Sequence, residues 1–152
     1  MDKHVRELKK LIFQPGSKAE IPIIGNRTEI FDPKLMPYYD FTITSRDYKN
    51  GQSCYVFTAT VKEEYQKRKQ DKTIIKFLET YFEKGTLQVI ARNYQLTYKG
   101  PLIDFDVKMK IELRRLSEGY TPAYIQYEGA WDVPGKKPEI CRFTARFFDF
   151  VE

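Results

Sequence analysis

The stretch Ile103-Asp-Phe-Asp-Val-Lys-Met-Lys-Ile-Glu-Leu-Arg114 decides the fold. Ile103, Phe105, Val107, Met109, Ile111 and Leu113 alternate with Asp104, Asp106, Lys108, Lys110, Glu112 and Arg114. Successive side chains of a strand point to opposite faces, whereas a helix repeats every 3.6 residues. Unbroken alternation over this length therefore predicts a strand with one row in a core and the other in water.

The same pattern extends in both directions. Ser117-Glu-Gly119 closes a hairpin into a strand from Tyr120 to Trp131, Val133–Pro138 reads as a longer loop, and a last strand is expected from Ile140 to Val151. Toward the N-terminus, Lys99-Gly100-Pro101 turns the chain after a strand at Leu87–Tyr98. Ile74–Phe82 is ambiguous. Ile74, Leu78, Tyr81 and Phe82 have helical spacing and Gly85 suits a helix stop. We read it as a strand, because a β-rich segment follows at once. Lys62–Lys72 reads as a polar connection, and Ser53–Val61 as a strand apolar or small on both faces. Lys49-Asn50-Gly51 supplies the turn before it, after an alternating run from Tyr39.

The first 37 residues differ in kind. Asp2 can cap a helix over Lys3–Phe13 with Val5, Leu8, Leu11 and Ile12 on one face, stopped by Pro15-Gly16. Five Pro, Gly and Asn residues from Pro22 to Pro37 then mark an irregular lead-in, with one short edge strand at Ile21–Ile24. The expected architecture is mainly β: one domain over 1–152, with 1–37 as helix and lead-in and 38–152 as an antiparallel meander of about six or seven strands. Such a sheet must cover its apolar face, by curling into a partial barrel or by laying the helix across the concave side.

Composition agrees with this class. The chain has 152 residues, one domain by length, with 41% hydrophobic and 31% charged residues. Aromatic residues reach 15%, from 11 Tyr, 11 Phe and 1 Trp, and such side chains suit pleated, half-buried surfaces. The formal charge of +5 comes from 26 basic and 21 acidic residues mixed along the chain, unlike the segregated basic face of a nucleic-acid binder. No apolar run approaches the ~18 residues of a transmembrane segment, and the first ten residues lack the apolar stretch of a secretory signal.

No catalytic constellation emerges, and no cofactor or metal is implied. His4, the only histidine, lies on a charged helical turn rather than beside Ser53 or Cys54. Cys54 and Cys141 lack the paired spacing of a structural zinc site; buried free thiols or a disulfide between strands are the alternatives. Asp104 and Asp106 share a strand face as metal or acid–base carboxylates do, but Lys108 and Lys110 continue that row, so cross-strand charge pairing is the simpler reading. Lys62, Lys67, Arg68, Lys69, Lys72 and Lys76 form a basic loop that could touch phosphates or anionic lipid, but Glu63, Glu64 and Asp71 dilute it, and a solvated loop is the simpler reading. Tyr94, Tyr98, Tyr120, Tyr124 and Tyr127 suit core packing better than base stacking, without a motif for RNA recognition.

The unexplained surplus is apolar. Cys54–Phe57, Ile74–Phe82, Leu87–Tyr98 and Phe143–Phe150 look apolar on both faces. One face packs a core; the other needs a helix, a partner or an apolar ligand.

Here a family resemblance enters. Asn50-Gly-Gln-Ser-Cys54-Tyr-Val-Phe-Thr-Ala-Thr-Val-Lys62 resembles the "Gly-x-x-Cys-Tyr-Val, alternating, Lys" strand of the LolA/LolB-like envelope lipoprotein-carrier superfamily. Tyr81-Phe82-Glu-Lys-Gly-Thr-Leu-Gln-Val-Ile90, Arg92-Asn-Tyr94-Gln-Leu96 and the run from Tyr120-Thr-Pro122 through Tyr127-Glu-Gly-Ala-Trp131 are similar to its following hairpin and strands. The likeness covers roughly residues 38–150 through short, degenerate motifs. It implies a strongly curved, unclosed antiparallel barrel whose concave face, covered by helices, holds acyl chains, in a periplasmic or envelope protein without catalytic residues. Carriers of that type use several plug helices where this chain offers one, and it carries no signal or lipid-attachment cysteine. The expectation is therefore a C-terminal module of a larger envelope protein.

Three functions follow as expectations. The first is a non-enzymatic binding or scaffolding module whose groove takes a lipid or lipoprotein acyl chain along Phe57, Phe77, Val89, Tyr94, Phe105, Val107 and Met109, with Trp131 near a rim; these residues are chosen by strand parity. The second is a structural domain whose apolar surplus meets a neighbouring domain or a second copy. The third, the least favoured, is a cytoplasmic RNA- or anion-binding protein using Lys67, Arg68 and Lys69; no nucleic acid is expected in the first two.

Overall fold

A computed structural model of the protein describes residues 29–66, 72–101, 103–117 and 119–149. Seven strands form one antiparallel sheet: β1 Tyr39–Tyr48, β2 Gln52–Val61, β3 Ile75–Glu83, β4 Val89–Lys99, β5 Asp104–Leu116, β6 Gly119–Asp132 and β7 Glu139–Arg146. Their order in the sheet is their order in the chain. This is a meander, the arrangement that short hairpin turns produce. It is unclosed, with β1 and β7 at its two edges. Among the described residues the one α-helix is a single turn, α1 at Glu63–Gln66.

The stretch around Val107 is β5, and Ile75–Glu83 is a strand rather than a helix. Cross-strand pairing outweighs the helical spacing there: Leu78 faces Ala59 on one side and Tyr94 on the other. The turn before β2 is one 3-10 turn at Lys49–Gly51, where Gly51 adopts a φ of 74° that L side chains resist.

Directly opposed residues of an antiparallel ladder share a face, so the registers sort the side chains. On the first face lie Tyr39, Phe41 and Ile43 of β1; Val61, Ala59 and Phe57 of β2; Leu78 and Thr80 of β3; and Leu96, Tyr94 and Arg92 of β4. Val107, Met109 and Ile111 of β5, Gly129, Tyr127 and Ile125 of β6, and Cys141, Phe143 and Ala145 of β7 continue it. The main core sits here, with Ile30, Leu35, Tyr38 and Tyr65 packed against its β1–β2 end. Tyr39 donates a buried hydrogen bond to the Ile75 carbonyl (2.9 Å) and ties β1 across β2 to the start of β3.

The second face is mostly polar and charged, with an exception at one end. Cys54, Val56 and Ile90 are buried there as a second, smaller cluster flanked by Tyr48, Tyr81 and Tyr120. Strand β2 is thus apolar on both faces for a structural reason: it contributes to two cores. Contacts at this end skip strands. Lys49, in the β1–β2 turn, donates to Glu112 of β5 at 2.7 Å, and the Tyr120 hydroxyl of β6 donates to Glu83 of β3 at 2.9 Å.

Three expectations need correction. The last strand stops at Arg146 instead of reaching Val151: Phe147 still donates its N–H to the Ala123 carbonyl, but Asp149 takes a φ of 57° and the ladder ends. Of the two cysteines, both free, only Cys54 is buried; Cys141 is exposed because β7 is an edge strand. They lie on opposite faces of strands far apart in the order, which rules out the disulfide. Glu63–Gln66 is helical rather than loop. The helix expected at Lys3–Phe13, the edge strand at Ile21–Ile24, His4 and the basic run Lys67, Arg68 and Lys69 lie outside the described residues.

Candidate functional site

The eight residues chosen by parity divide. Phe57, Tyr94, Phe105, Val107, Met109 and Trp131 share the first face. Val89 has the wrong parity relative to Tyr94 for a regular strand, but a register shift between Tyr81 and Phe82 brings it opposite Phe82 on that face. Phe77 is on the second face, between Thr60 and Gln95. The sequence held the signal for this: Phe77 shares its parity with Glu79 and Glu83, both of which turn away from the main core.

Within the first face, Tyr94, Phe105, Val107 and Met109 are buried and touch one another through the cluster, while Phe57 and Trp131 are half-buried at its margins. Phe105 is the hub on the β6 side. Its ring lies 5.0 Å from Trp131 and 5.7 Å from Tyr98, offset distances at which aromatic pairs attract. The Trp131 indole donates to the Tyr127 hydroxyl (2.9 Å), and Tyr127 stacks on Phe143 at 5.1 Å. The Tyr94 hydroxyl donates to the Met109 sulfur across the β4–β5 ladder. Burial pushes the Tyr94 phenol far above its ordinary range, so it stays a neutral donor.

At the β1 margin the apolar face meets water. Phe31, Phe41 and Phe57 form a shelf with ring separations of 5.8, 5.8 and 6.0 Å. Phe31 remains 63% exposed and Ile43, next along β1, 72%. Parity reasoning missed Phe31 because it precedes the sheet. Tyr127, read as core packing, and Phe143, placed in a run apolar on both faces, were not joined to the groove because only the β6–β7 register brings them together.

Arg92 is the charged residue that sequence reasoning did not single out. It lies on the apolar face opposite Thr80 and Ile111, buried, and donates through Nε to Thr80 Oγ1 at 3.1 Å. Burial lowers its pKa, yet a guanidinium keeps its proton at any ordinary pH.

The second face is an array of saturated carboxylates. Glu79 accepts from Arg46 (2.5 Å), Tyr81 (2.9 Å) and Asn93 (3.0 Å). Glu112 accepts from Lys49 and forms an ion pair with Lys110 at 3.0 Å. Glu83 accepts from Gln52, Thr86 and Tyr120. Partial burial alone raises the pKa of Glu79 and Glu112, but these donors outweigh it and hold both below the ordinary range; hydrogen bonding from Thr86, Gln52 and Tyr120 does the same for Glu83. Carboxylates held charged this firmly serve as ion-pair anchors, not as acids poised near neutrality. Tyr48, desolvated beside Glu112, is raised far above its usual range. Of the two aspartates expected in cross-strand charge pairs, Asp104 stands in register with Lys99 on one side but Asp132 on the other, and Asp106 faces Thr97 and Ala130. No group of three or more metal-ligating side chains occurs among the described residues. Compared with protein-family models, curated proteins and solved structures, the chain matches none of them.

Proposed function

We propose that this chain is a non-enzymatic binding or scaffolding module of a bacterial envelope, a curved half-barrel whose apolar first face takes an acyl chain. One observation carries this reading: the apolar face runs from β1 to β7, with charged Arg92 buried within it and charged Glu139 at its β7 margin, and opens to water at the Phe31–Phe41–Phe57 shelf. A chain inserted beside Phe57 would replace water on aromatic surface, worth about 0.8 kcal/mol per methylene buried. Contacts that skip strands support curvature toward the second face at the Cys54 end, where Tyr120 of β6 meets Glu83 of β3 although three strand spacings span about 14 Å in a flat sheet. The concavity of the first face rests on the resemblance. The helix expected at Lys3–Phe13 is the proposed cover of the concave side, and the envelope location rests on the motif resemblance alone.

The test is a titration of the folded chain with a fluorescent fatty acid. Saturable binding that Phe57→Asp weakens at least tenfold is expected. Absence of saturation in a sample with native circular dichroism would overturn the acyl-chain reading.

A second reading has its own support. Tyr94, Phe105, Val107 and Met109 already fill their surroundings with one another, as in a domain whose apolar face is simply its core and whose shelf meets a neighbouring domain. Native mass spectrometry before and after an organic-solvent wash separates the two. A lipid-sized mass removed by the wash supports the groove, and a bare chain supports the scaffold.

A further inference from the structure

The outer edge of β1 points to a second partner, independent of any ligand. Strand β1 is ten residues long and pairs with β2 through all ten without a register shift. Natural edge strands are blunted by proline, lysine, a bulge or short length, because a free row of N–H and C=O groups templates further pairing. Strand β1 has no proline, lysine or bulge and is not short; its charges are Asp40, Arg46 and Asp47, and among the described residues no strand covers its outer side. Thr42 through Asp47 are exposed.

We propose that β1 pairs with β1 of a second copy of this chain, antiparallel about a two-fold axis at Ile43, so that two sheets continue as one. Charge complementarity selects this occupant and this register. A two-fold normal to the sheet keeps the same face of both copies on the same side and requires opposed residues to share parity. With Ile43 on the axis, Asp40 of each copy stands opposite Arg46 of the other, Thr42 opposite Thr44, and Ile43 opposite itself. The two charged pairs fall together on the second face, and the exposed Ile43 side chains meet on the first, beside both aromatic shelves. Sliding by one register step either way sets Asp40 against Thr44 or Tyr48 and loses both charge pairs. Arg46 already bonds Glu79, but its side chain is 49% exposed and a guanidinium has five donors, enough for both carboxylates.

The other edge lacks this match. On β7 the one acid, Glu139, lies on the first face, whereas Arg142 and Arg146 lie on the second. Self-pairing of β7 in any register that keeps the faces aligned therefore brings no acid opposite an arginine.

Sedimentation of the full 152-residue chain over a wide concentration range tests this. A monomer–dimer equilibrium is expected, with Ile43→Lys raising the dissociation constant at least tenfold by placing two ammonium groups at the axis. Ile43 is exposed enough for that variant to fold, which circular dichroism checks. Opposed Cβ atoms lie about 4.5–5.5 Å apart, close to disulfide reach. In a Cys141→Ser background, Ile43→Cys should therefore cross-link on oxidation and Ser45→Cys, opposed to Phe41, should not. A monomer at every concentration, a dimer indifferent to Ile43→Lys, or cross-linking only through Ser45→Cys would each overturn the proposal. Fatty-acid binding is read separately, so failure of the dimer leaves the groove standing and the converse.

Discussion

Strands β2 and β5 belong to one sheet and both run antiparallel to their neighbours, but they bury their side chains differently. Strand β5 buries Phe105, Val107, Met109 and Ile111 and turns Asp106 and Lys108 to water. Strand β2 buries Ala59 and Val61 on the first face and Cys54 and Val56 on the second. The difference comes from place, not propensity. The first half of β2 lies at the end where Tyr48, Tyr81, Ile90 and Tyr120 gather, so its second face meets apolar partners. The second face of β5 instead meets Lys99, Thr97, Gln95 and Asn93 of β4 and Asp132, Glu128 and Gln126 of β6. A period of two shows which residues share a face, but whether that face is wet depends on what arrives from elsewhere in the chain.

The largest expected effect is on the row that the comparison treats as unquestioned core. Met109→Ala should cost about 2–5 kcal/mol, the range for emptying a buried Met site, read as a shift in the denaturation midpoint at unchanged slope. A cost under about 1 kcal/mol would mean that the β5 row packs loosely and that the asymmetry with β2 is weaker than it looks.

Next comes the second face itself. Val56→Thr preserves shape but buries a hydroxyl, at a cost of about 1–3 kcal/mol. Lys108→Thr, on the same face of β5, should stay within about 0.5 kcal/mol. Equal values for the two would erase the distinction between a second core and a solvated face.

The carboxylates of the second face give a smaller, pH-dependent effect. Glu79 and Glu112 are held below their ordinary value of 4.5 in the folded chain, because hydrogen bonds from their partners outweigh burial. The unfolded chain therefore takes up protons first as pH falls, and acid favours unfolding. Their contribution is fully present at neutral pH, begins to fade near pH 4.5 and is lost once pH passes below the folded-state values. Thermal melts from pH 7 to 3 should show this decline, and Glu112→Gln should flatten it while costing about 0.2–1 kcal/mol at pH 7. An unchanged slope in that variant would mean the Lys49–Glu112 contact contributes nothing.

The smallest effect is a gain. Asp104 and Asp132 stand directly opposite each other, a repulsive pair on an otherwise complementary face. Asp132→Lys should stabilise by roughly 0.2–1 kcal/mol, and less in high salt. No gain at low salt would place the two carboxylates too far apart to interact.

How much was legible can be judged from particular residues. The alternation at β5 and the turns around Gly100, Gly119 and Pro134 marked the meander, since turn chemistry and period are local. The strand at Ile75–Glu83 was legible from its β-rich continuation. Phe77 was assigned to the wrong face although Glu79 and Glu83 shared its parity. Val89 reaches the first face only through a register shift, and another shift lies between Glu112 and Leu113. A bulge adds one residue to one strand and is fixed by the partner, so no single run of sequence announces it. Cys141 looked like a core residue because its strand is apolar; only the sheet order makes that strand an edge.

By itself, then, the sequence determined the class of the protein: strands from alternation, turns from Gly and Pro, and a surplus of aromatic residues that had to be buried somewhere. Those properties depend on neighbours a few residues away. Only the tertiary structure decided that β2 serves two cores, that Arg92 lies buried beside Thr80, that Phe31 joins Phe41 and Phe57 in a shelf, and that β1 and β7 end the sheet among the described residues. Each of these depends on residues distant in the chain meeting at one place, and on the order of the strands.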